Sequence, residues 1–225
     1  MPYTLRDGLS FCQVDGQHFI FLDVASDRYF QLADPMERAF TAYMKTGCTG
    51  PVVRTLIEKD ILMHARTSSA RMHHQMISLP NRSALEQPVA AKRPHIGTVL
   101  EVVAITWWAH RQLKKCALKK TLDRFTTYRE GRTGPPTTSK PTICAQHLAA
   151  ADQFRRARIY VPIDTCCLPD SLAMASFLAR RGLHAHVVIA VSADPFAAHA
   201  WVQVDDVVLN ESVGTARAYA PIRVI

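Results

Sequence analysis

The chain has 225 residues, of which 48% are hydrophobic, and its formal net charge is +8. This length suits one medium-sized domain or two small ones, and the composition is that of a globular protein. No run approaches the roughly 18 apolar residues of a membrane span, and the N-terminal segment lacks the pattern of a signal peptide. We therefore expect a cytoplasmic protein without a membrane span.

The six cysteines lie at positions 12, 48, 116, 144, 166 and 167 and form no C-x-x-C pair. In a reducing compartment such cysteines stay free, and their spacing does not match a zinc site. The sequence predicts no metal and no cofactor.

The N-terminal part predicts a hairpin, a third strand and helices. Its three short strands are expected at Leu9–Val14, His18–Val24 and Tyr29–Leu32. Asp34 and Pro35 predict the start of a helix that ends at Gly47, and Pro51 opens another helix. Together these elements indicate a compact wing-like unit.

The third strand, Tyr29-Phe30-Gln31-Leu32, is expected at an open sheet edge. Unpaired backbone groups on such an edge can accept an extended peptide as a further strand. The alternative is a structural hairpin whose aromatic residues form a core. With Phe19-Ile20-Phe21-Leu22-Asp23 and the following helix, this pattern resembles the PqqD-like precursor-recognition domains, related to the small peptide chaperone of quinone-cofactor biosynthesis. The resemblance implies a leader-peptide recognition domain over residues 1–66.

Residues 67–95 have little periodicity and predict a linker. Residues 92–132 then carry ten Lys and Arg against three acidic residues. This block suits nucleic acid, an anionic surface, an acidic peptide or simply a solvated helix face. One or two helices are expected from Ile96, with Leu100, Val103 and Trp107 packed inward and Trp108 in the core. Another helix is expected over Thr142–Arg158.

The segment around Cys166 and Cys167 predicts a loop that leads into a helix. Pro169 fits only the first turn of a helix, Asp170 suits its positive end, and Gly182 ends it. The N-terminus of a helix favours the nucleophilic thiolate form of cysteine. Either cysteine fits this reasoning, and a buried structural cysteine is the alternative.

Three strands follow, at His186–Val191, His199–Val204 and Val207–Glu211. A hairpin centred on Asp205 would place His199 opposite Glu211, with Cβ atoms roughly 5 Å apart. Asp205 and Asp206 are also acids, but along an extended strand they would lie roughly 20 Å from His199. The pattern predicts a Cys-His-acid triad with Glu211 as the acid.

Cys-Leu-Pro-Asp-Ser-Leu-Ala-Met, Arg-Arg-Gly, Pro-Phe-Ala-Ala-His-Ala-Trp-Val and Val-Leu-Asn-Glu occur in this order within residues 141–225. They resemble the lasso-peptide maturation proteases, the B proteins, which are transglutaminase-like cysteine peptidases. The resemblance implies Cys167, rather than Cys166, as the nucleophile, because Cys-Leu directly precedes the helix. The family usually has Asp where this chain has Glu211.

We therefore expect an α+β protein with a papain- or transglutaminase-like peptidase domain over residues 96–225. The resemblance implies removal of the leader from a lasso precursor peptide, and an ATP-dependent macrolactam synthetase as a further partner. Two alternatives are a peptide-binding scaffold with an inactive triad and a winged-helix nucleic-acid-binding regulator. A regulator would need an exposed recognition helix with Arg, Asn or Gln in the first module, and none is evident. We expect no nucleic-acid partner.

Overall fold

The computed structural model describes residues 3–14, 16, 18–47, 51–64, 77–86, 93–134 and 145–225. The chain divides into two compact units, Met1–Met76 and Ile77–Ile225. Both units combine helices with antiparallel strands, so the protein is of the α+β class. Among the described residues, no helix is long and apolar enough to cross a membrane.

The described residues of the first unit form five strands and two helices. In chain order they are β1 (Tyr3–Leu5), β2 (Leu9–Val14), β3 (His18–Asp23), β4 (Arg28–Gln31), α1 (Asp34–Thr46), α2 (Pro51–Glu58) and β5 (Leu62–His64). The strands β2, β3 and β4 form an antiparallel meander that matches the three predicted strands to within one or two residues. The pairing of β1 with β5 was not predicted, because it joins segments about 60 residues apart.

An aromatic core holds helix α1 against the meander. Phe40 of α1 is fully buried and contacts the rings of Phe11, Phe19 and Phe21 edge to face, with centroids 5.1 to 5.3 Å apart. The predicted end of α1 is confirmed, since Gly47 adopts a φ of 67° that glycine tolerates without strain. The residue before the helix is Ala33 rather than Asp34, which is already the first helical residue.

Within 77–86, 93–134 and 145–225, the second unit has five strands and five helices. They are β6 (Arg82–Ser83), α3 (Ile96–Lys115), α4 (Leu118–Thr133), α5 (Ala145–Arg158), α6 (Cys167–Ala179), β7 (His186–Ser192), β8 (Ala197–Val204), β9 (Val207–Val208), α7 (Val213–Arg217) and β10 (Ala220–Val224). The strands form one sheet in the order β10-β7-β8-β9-β6. Helix α6 packs against this sheet and against α3, α4 and α5, so that it is surrounded by other elements.

Part of the predicted linker, residues 67–95, forms a strand of this sheet. Residues 77–86 belong to the second unit, and within them β6 runs parallel to β9. Arg82 also forms an ion pair of 2.7 Å with Asp206 in the turn after β8. The described part of this segment is therefore fixed to the sheet, because its backbone groups pair there. The remaining part, 67–76, lies outside the described residues, as do 87–92 of the same segment.

Helix α3 buries a different face from the one expected. Val102, Ile105 and Ala109 are buried, whereas Leu100, Trp107 and Trp108 are exposed. The expectation that both tryptophans lie in the core was wrong, because apolar residues occur on several faces of this helix and periodicity does not select one. The predicted start of α5 at Thr142 lies outside the described residues.

Three histidines and an arginine lie close together at the start of β7. The rings of His184 and His186 are 4.8 Å apart, and His147 contacts the carbonyl of His184 at 3.1 Å. Arg129 donates to the carbonyl of Ala185. Burial, with Arg129 nearby, lowers the pKa of His184 to about 4 and also lowers the pKa of His186. Burial lowers the pKa of His147 as well. In the described part of the chain, no group of three His, Cys, Asp or Glu residues could hold a metal ion.

We predict that this cluster makes the second unit sensitive to acid. His184 stays neutral in the folded protein down to about pH 4, whereas in the unfolded chain it takes up a proton near pH 6.5. The contribution of neutral His184 to the free energy of unfolding is therefore fully present above about pH 6.5 and is lost as the pH falls toward 4. Between about pH 7 and pH 5, we expect the free energy of unfolding to fall by roughly 1–2 kcal/mol less in His184→Phe than in the wild type, allowing for the partial exposure of the ring.

The measurement is urea unfolding at about pH 7 and pH 5, followed by tryptophan fluorescence, since all three tryptophans belong to the second unit. The exposed His95 provides a control, and His95→Phe should keep the wild-type pH dependence. An unchanged pH dependence in His184→Phe would contradict this explanation.

Candidate active site

Cys167 is the first residue of α6, as the helix-start pattern predicted. The chain enters the helix through Cys166, whose extended backbone makes it the residue before the first turn. The Asp170 carboxylate accepts a hydrogen bond from the Cys166 N–H at 3.1 Å, and the Asp170 N–H donates to the Cys166 carbonyl at 3.0 Å. These reciprocal bonds fix the helix start and hence the position of the Cys167 thiol.

Arg158 organises the loop that leads to Cys167. Its buried guanidinium donates to Asp170 at 2.8 Å and to the carbonyls of Ile163 and Asp164 at 3.0 and 3.1 Å. A buried charge is tolerated when it is paired and its other donors are satisfied, as they are here. Sequence reasoning missed this role of Arg158, because its carbonyl partners lie in a loop without a recognisable motif and no pattern connects α5 to Asp170.

His199 on β8 lies between Cys167 and Glu211. Its Nε2 is 2.8 Å from the Glu211 carboxylate, and the Cys167 thiol also hydrogen-bonds the ring. Since Nε2 faces the carboxylate, Nδ1 is the nitrogen that remains for the sulfur. The structure therefore brings together all three residues of the predicted triad.

The electrostatics of the cluster distinguish Cys167 from Cys166. The hydrogen bond with His199 lowers the pKa of the Cys167 thiol, and hydrogen bonds with backbone groups of Leu168 and Ala200 lower it further. Partial burial of the thiol acts in the opposite direction and raises its pKa. The hydrogen bond between Cys167 and His199 raises the pKa of His199, supported by Glu211. Burial instead raises the pKa of Cys166. Cys167 is thus the cysteine whose thiolate form the surroundings favour.

Glu211 contacts His199, but not through the strand register that was predicted. The turn consists of Asp205 and Asp206, and Gln203 pairs with Val208 across it, so the predicted register is off by one residue. The predicted strand is also wrong beyond Val208, where the regular pairing ends. Because a one-residue slip reverses the faces of a strand, Glu211 depends on the bend of the chain at this point to approach the ring.

Asn210 stabilises this bend. Its side-chain oxygen accepts a hydrogen bond of 2.7 Å from the Val202 N–H, where a regular ladder would provide a backbone carbonyl. Its side-chain nitrogen donates to the hydroxyl of Ser171 at 3.1 Å, and Ser171 donates to the carbonyl of Ala200 at 3.1 Å. The Asn210 amide therefore connects α6 to β8.

The other predicted acids do not belong to the cluster. Asp206 pairs with Arg82, and the Asp205 carboxylate is 3.5 Å from the hydroxyl of Ser78 at the same turn. Two hydrogen bonds hold Glu211 besides its contact with His199. Its second carboxylate oxygen accepts from the Ser212 N–H at 2.8 Å, and its carbonyl accepts from Ser83 of β6 at 2.6 Å.

A cleft of about 450 Å³ opens over the cluster. Its lining combines Cys167 and His199 with apolar side chains of Phe154, Ile159 and Met174. Arg155 and Arg158 also line the cleft. A cysteine thiol beside an imidazole, in an open and partly apolar cleft, suits acyl transfer to cysteine from a bound substrate.

The predicted peptide-binding residues belong to the first unit. Tyr29, Phe30 and Gln31 lie on β4, the outer strand of the meander, and Leu32 follows it and is buried. In the part of the chain that the structure describes, β4 pairs with β3 alone. The ring of Phe30 stacks on Phe21 at 5.3 Å, so this aromatic residue supports the core as well as the edge.

A family model described as the transglutaminase-like superfamily matches residues 113–224. The matched region begins within α3 and includes Cys167, His199 and Glu211. Residues 113–224 are therefore similar to the transglutaminase-like superfamily, which generally includes cysteine peptidases with Cys-His-Asp triads, and this similarity is consistent with a cysteine peptidase-like fold. No curated protein and no solved structure matches the chain.

We predict that Glu211→Gln slows the alkylation of Cys167 by iodoacetamide at pH 7 by roughly three- to tenfold. The carboxylate stabilises the imidazolium of His199, and losing it raises the pKa of the thiol, so that less thiolate is present. Rates at Cys167 are read by peptide mass spectrometry over a pH series. Asp206→Asn, in the distant turn, should leave the profile unchanged. Equal pH profiles for the wild type and Glu211→Gln would show that the Glu211 carboxylate does not affect the pKa of the Cys167 thiol.

Proposed function

We propose that the protein is a cysteine endopeptidase that removes the leader from a ribosomally synthesised lasso precursor peptide. The arrangement of Cys167, His199 and Glu211 carries the proposal. Their order and spacing support a triad in which the sulfur attacks, the imidazole transfers the proton and the carboxylate orients the imidazole.

In the first half of the proposed reaction, the Cys167 thiolate attacks the scissile carbonyl carbon and forms a tetrahedral oxyanion. Backbone N–H groups at the start of α6 are the candidate donors to this oxyanion. Collapse of the intermediate breaks the C–N bond, and His199 gives its proton to the leaving amine. The leader segment remains attached to Cys167 as a thioester.

In the second half, His199 accepts a proton from water while the water oxygen attacks the thioester carbonyl. The C–S bond breaks and restores the Cys167 thiolate beside the protonated imidazole, and the leader leaves as a carboxylic acid that loses its proton to the solvent. Glu211 keeps the ring in one orientation during both halves, because its carboxylate is itself held by Ser212.

The first unit is proposed to bind the leader. The outer strand β4 offers backbone groups to an extended peptide, and the stacked Phe30 and Phe21 give that edge a rigid support. Binding there would raise the effective concentration of the precursor at the peptidase unit. The resemblance to lasso maturation proteases further implies an ATP-dependent macrolactam synthetase as a partner. The cytoplasmic location stays a prediction.

We predict that Cys167→Ala abolishes leader cleavage and retains precursor binding, because it removes the sulfur without changing the helix start. Cys166→Ala is the matched control on the neighbouring residue and should retain most of the activity. Mass spectrometry of a precursor peptide incubated with each variant measures cleavage. The reverse pattern would assign the nucleophile to Cys166. Binding without cleavage by the wild-type protein would favour a scaffold over a peptidase.

We also predict that deletion of residues 1–76 raises KM for the full precursor much more than it lowers kcat. A recognition unit adds binding that the ground state and the transition state share, so its loss appears in KM. The isolated leader should compete with the precursor for the intact chain and not for the truncated one. An unchanged KM after truncation would contradict the recognition role of the first unit.

A further inference from the structure

Arg155 presents an incompletely paired cation to the cleft beside Cys167. It lies on α5 and is part of the cleft lining. About a quarter of its side chain, 23%, is exposed to solvent. Its Nε atom is buried and has no hydrogen-bond partner among the described residues. A buried donor without a partner is costly in a folded protein and often indicates a group that a ligand completes.

The nearest carboxylate does not neutralise Arg155 fully. Asp152 accepts from the Nε of Arg156 at 2.6 Å and from a terminal nitrogen of Arg155 at 3.3 Å. One carboxylate therefore serves two guanidinium groups, and the shorter contact belongs to Arg156. Burial, the largest effect, lowers the pKa of Arg155 although Asp152 opposes this change. Arg155 is thus a partly desolvated cation with at least one N–H donor that has no partner among the described residues.

The other charged groups of the cleft are already engaged. Arg158 pairs with Asp170 and donates to loop carbonyls, and Glu211 pairs with His199 and Ser212. The remaining wall near Arg155 is apolar and includes Phe154 and Ile159. An anionic group that enters this part of the cleft would therefore meet Arg155 in surroundings where a charge-assisted hydrogen bond is strong.

We propose that Arg155 forms a subsite for a carboxylate of the substrate, so that the enzyme prefers a peptide with an Asp or Glu side chain close to the scissile bond. This inference rests on the proposed function, because it assigns the substrate class of the same cleft. A guanidinium can bind a carboxylate through two parallel N–H···O bonds, and Asp152 engages Arg155 through a single terminal nitrogen at 3.3 Å. The apolar wall would contact the methylene groups of the acidic side chain.

Two small alkylating reagents test the subsite without knowledge of the natural substrate. Iodoacetate carries a carboxylate next to its reactive carbon, whereas iodoacetamide has the neutral amide in the same place. Their rates at Cys167 of the full chain give a ratio in which the intrinsic reactivity of the thiol cancels. N-acetylcysteine amide provides the reference ratio for a thiol outside a protein, and mass spectrometry resolves Cys167 from the other cysteines.

We expect the iodoacetate-to-iodoacetamide ratio at Cys167 to exceed the reference, and Arg155→Gln to lower it by roughly five- to tenfold. Arg155→Lys should retain part of the preference, because the charge remains while the two-pronged geometry is lost. Lys120→Gln removes one exposed positive charge from α4 and should leave the ratio unchanged. Asp152→Asn should raise the ratio, since it removes the carboxylate that competes for Arg155.

The outcomes separate this proposal from the proposed function. An unchanged ratio in both Arg155→Gln and Asp152→Asn, with Cys167 still alkylated faster than Cys166, overturns the carboxylate subsite alone. If Cys167 reacts no faster than Cys166 in the wild-type chain, the peptidase assignment fails and the subsite fails with it. If Arg155→Gln does not fold, as circular dichroism would show, Arg155→Lys and Asp152→Asn decide the question.

Discussion

The hydrogen bond between Ser171 and the carbonyl of Ala200 is the contact on which the site depends most. Ser171 lies one helical turn after Cys167, so both residues occupy the same face of α6. Ala200 follows His199 on β8, and the bond of 3.1 Å therefore fixes the position of Cys167 along α6 relative to His199. Ser171 is fully buried, and a shift of the helix would leave buried polar groups unpaired at roughly 1–3 kcal/mol each.

The charges of Cys167, His199 and Glu211, and those of the loop before α6, are arranged so that each has a partner. Partial burial opposes both the thiolate of Cys167 and the imidazolium of His199, but their mutual hydrogen bond outweighs it. The hydrogen bond with Glu211 raises the pKa of His199 further. Arg158 and Asp170 form a second pair that holds the loop before α6. Because that pair is internally neutral, it orders the loop while adding little net charge beside the nucleophile.

Sequence reasoning located those parts of the site that local patterns determine. Pro169 in the first turn fixes the start of α6, and the β-branched run in β7 identifies a strand. The short strands β6 and β10 were missed, because each acquires its structure by pairing with a distant strand. The connecting role of Asn210 was missed for the same reason. An asparagine after a strand suits many turns, and only the tertiary structure shows that its amide replaces a backbone acceptor.

The length of Glu211 agrees with the way in which the chain leaves the sheet. The related peptidases that this chain resembles usually have Asp at the corresponding position, where a shorter arm must start closer to the imidazole. Here regular pairing ends at Val208, and the carbonyl of Glu211 is held by Ser83 of β6. The additional methylene group extends the carboxylate from that anchor to His199 at 2.8 Å. A longer side chain has more rotamers to lose, but the bond from the Ser212 N–H to the other oxygen restricts it. Glu211 is therefore fixed at its carbonyl and at both carboxylate oxygens, so that its longer side chain is held in one position beside His199.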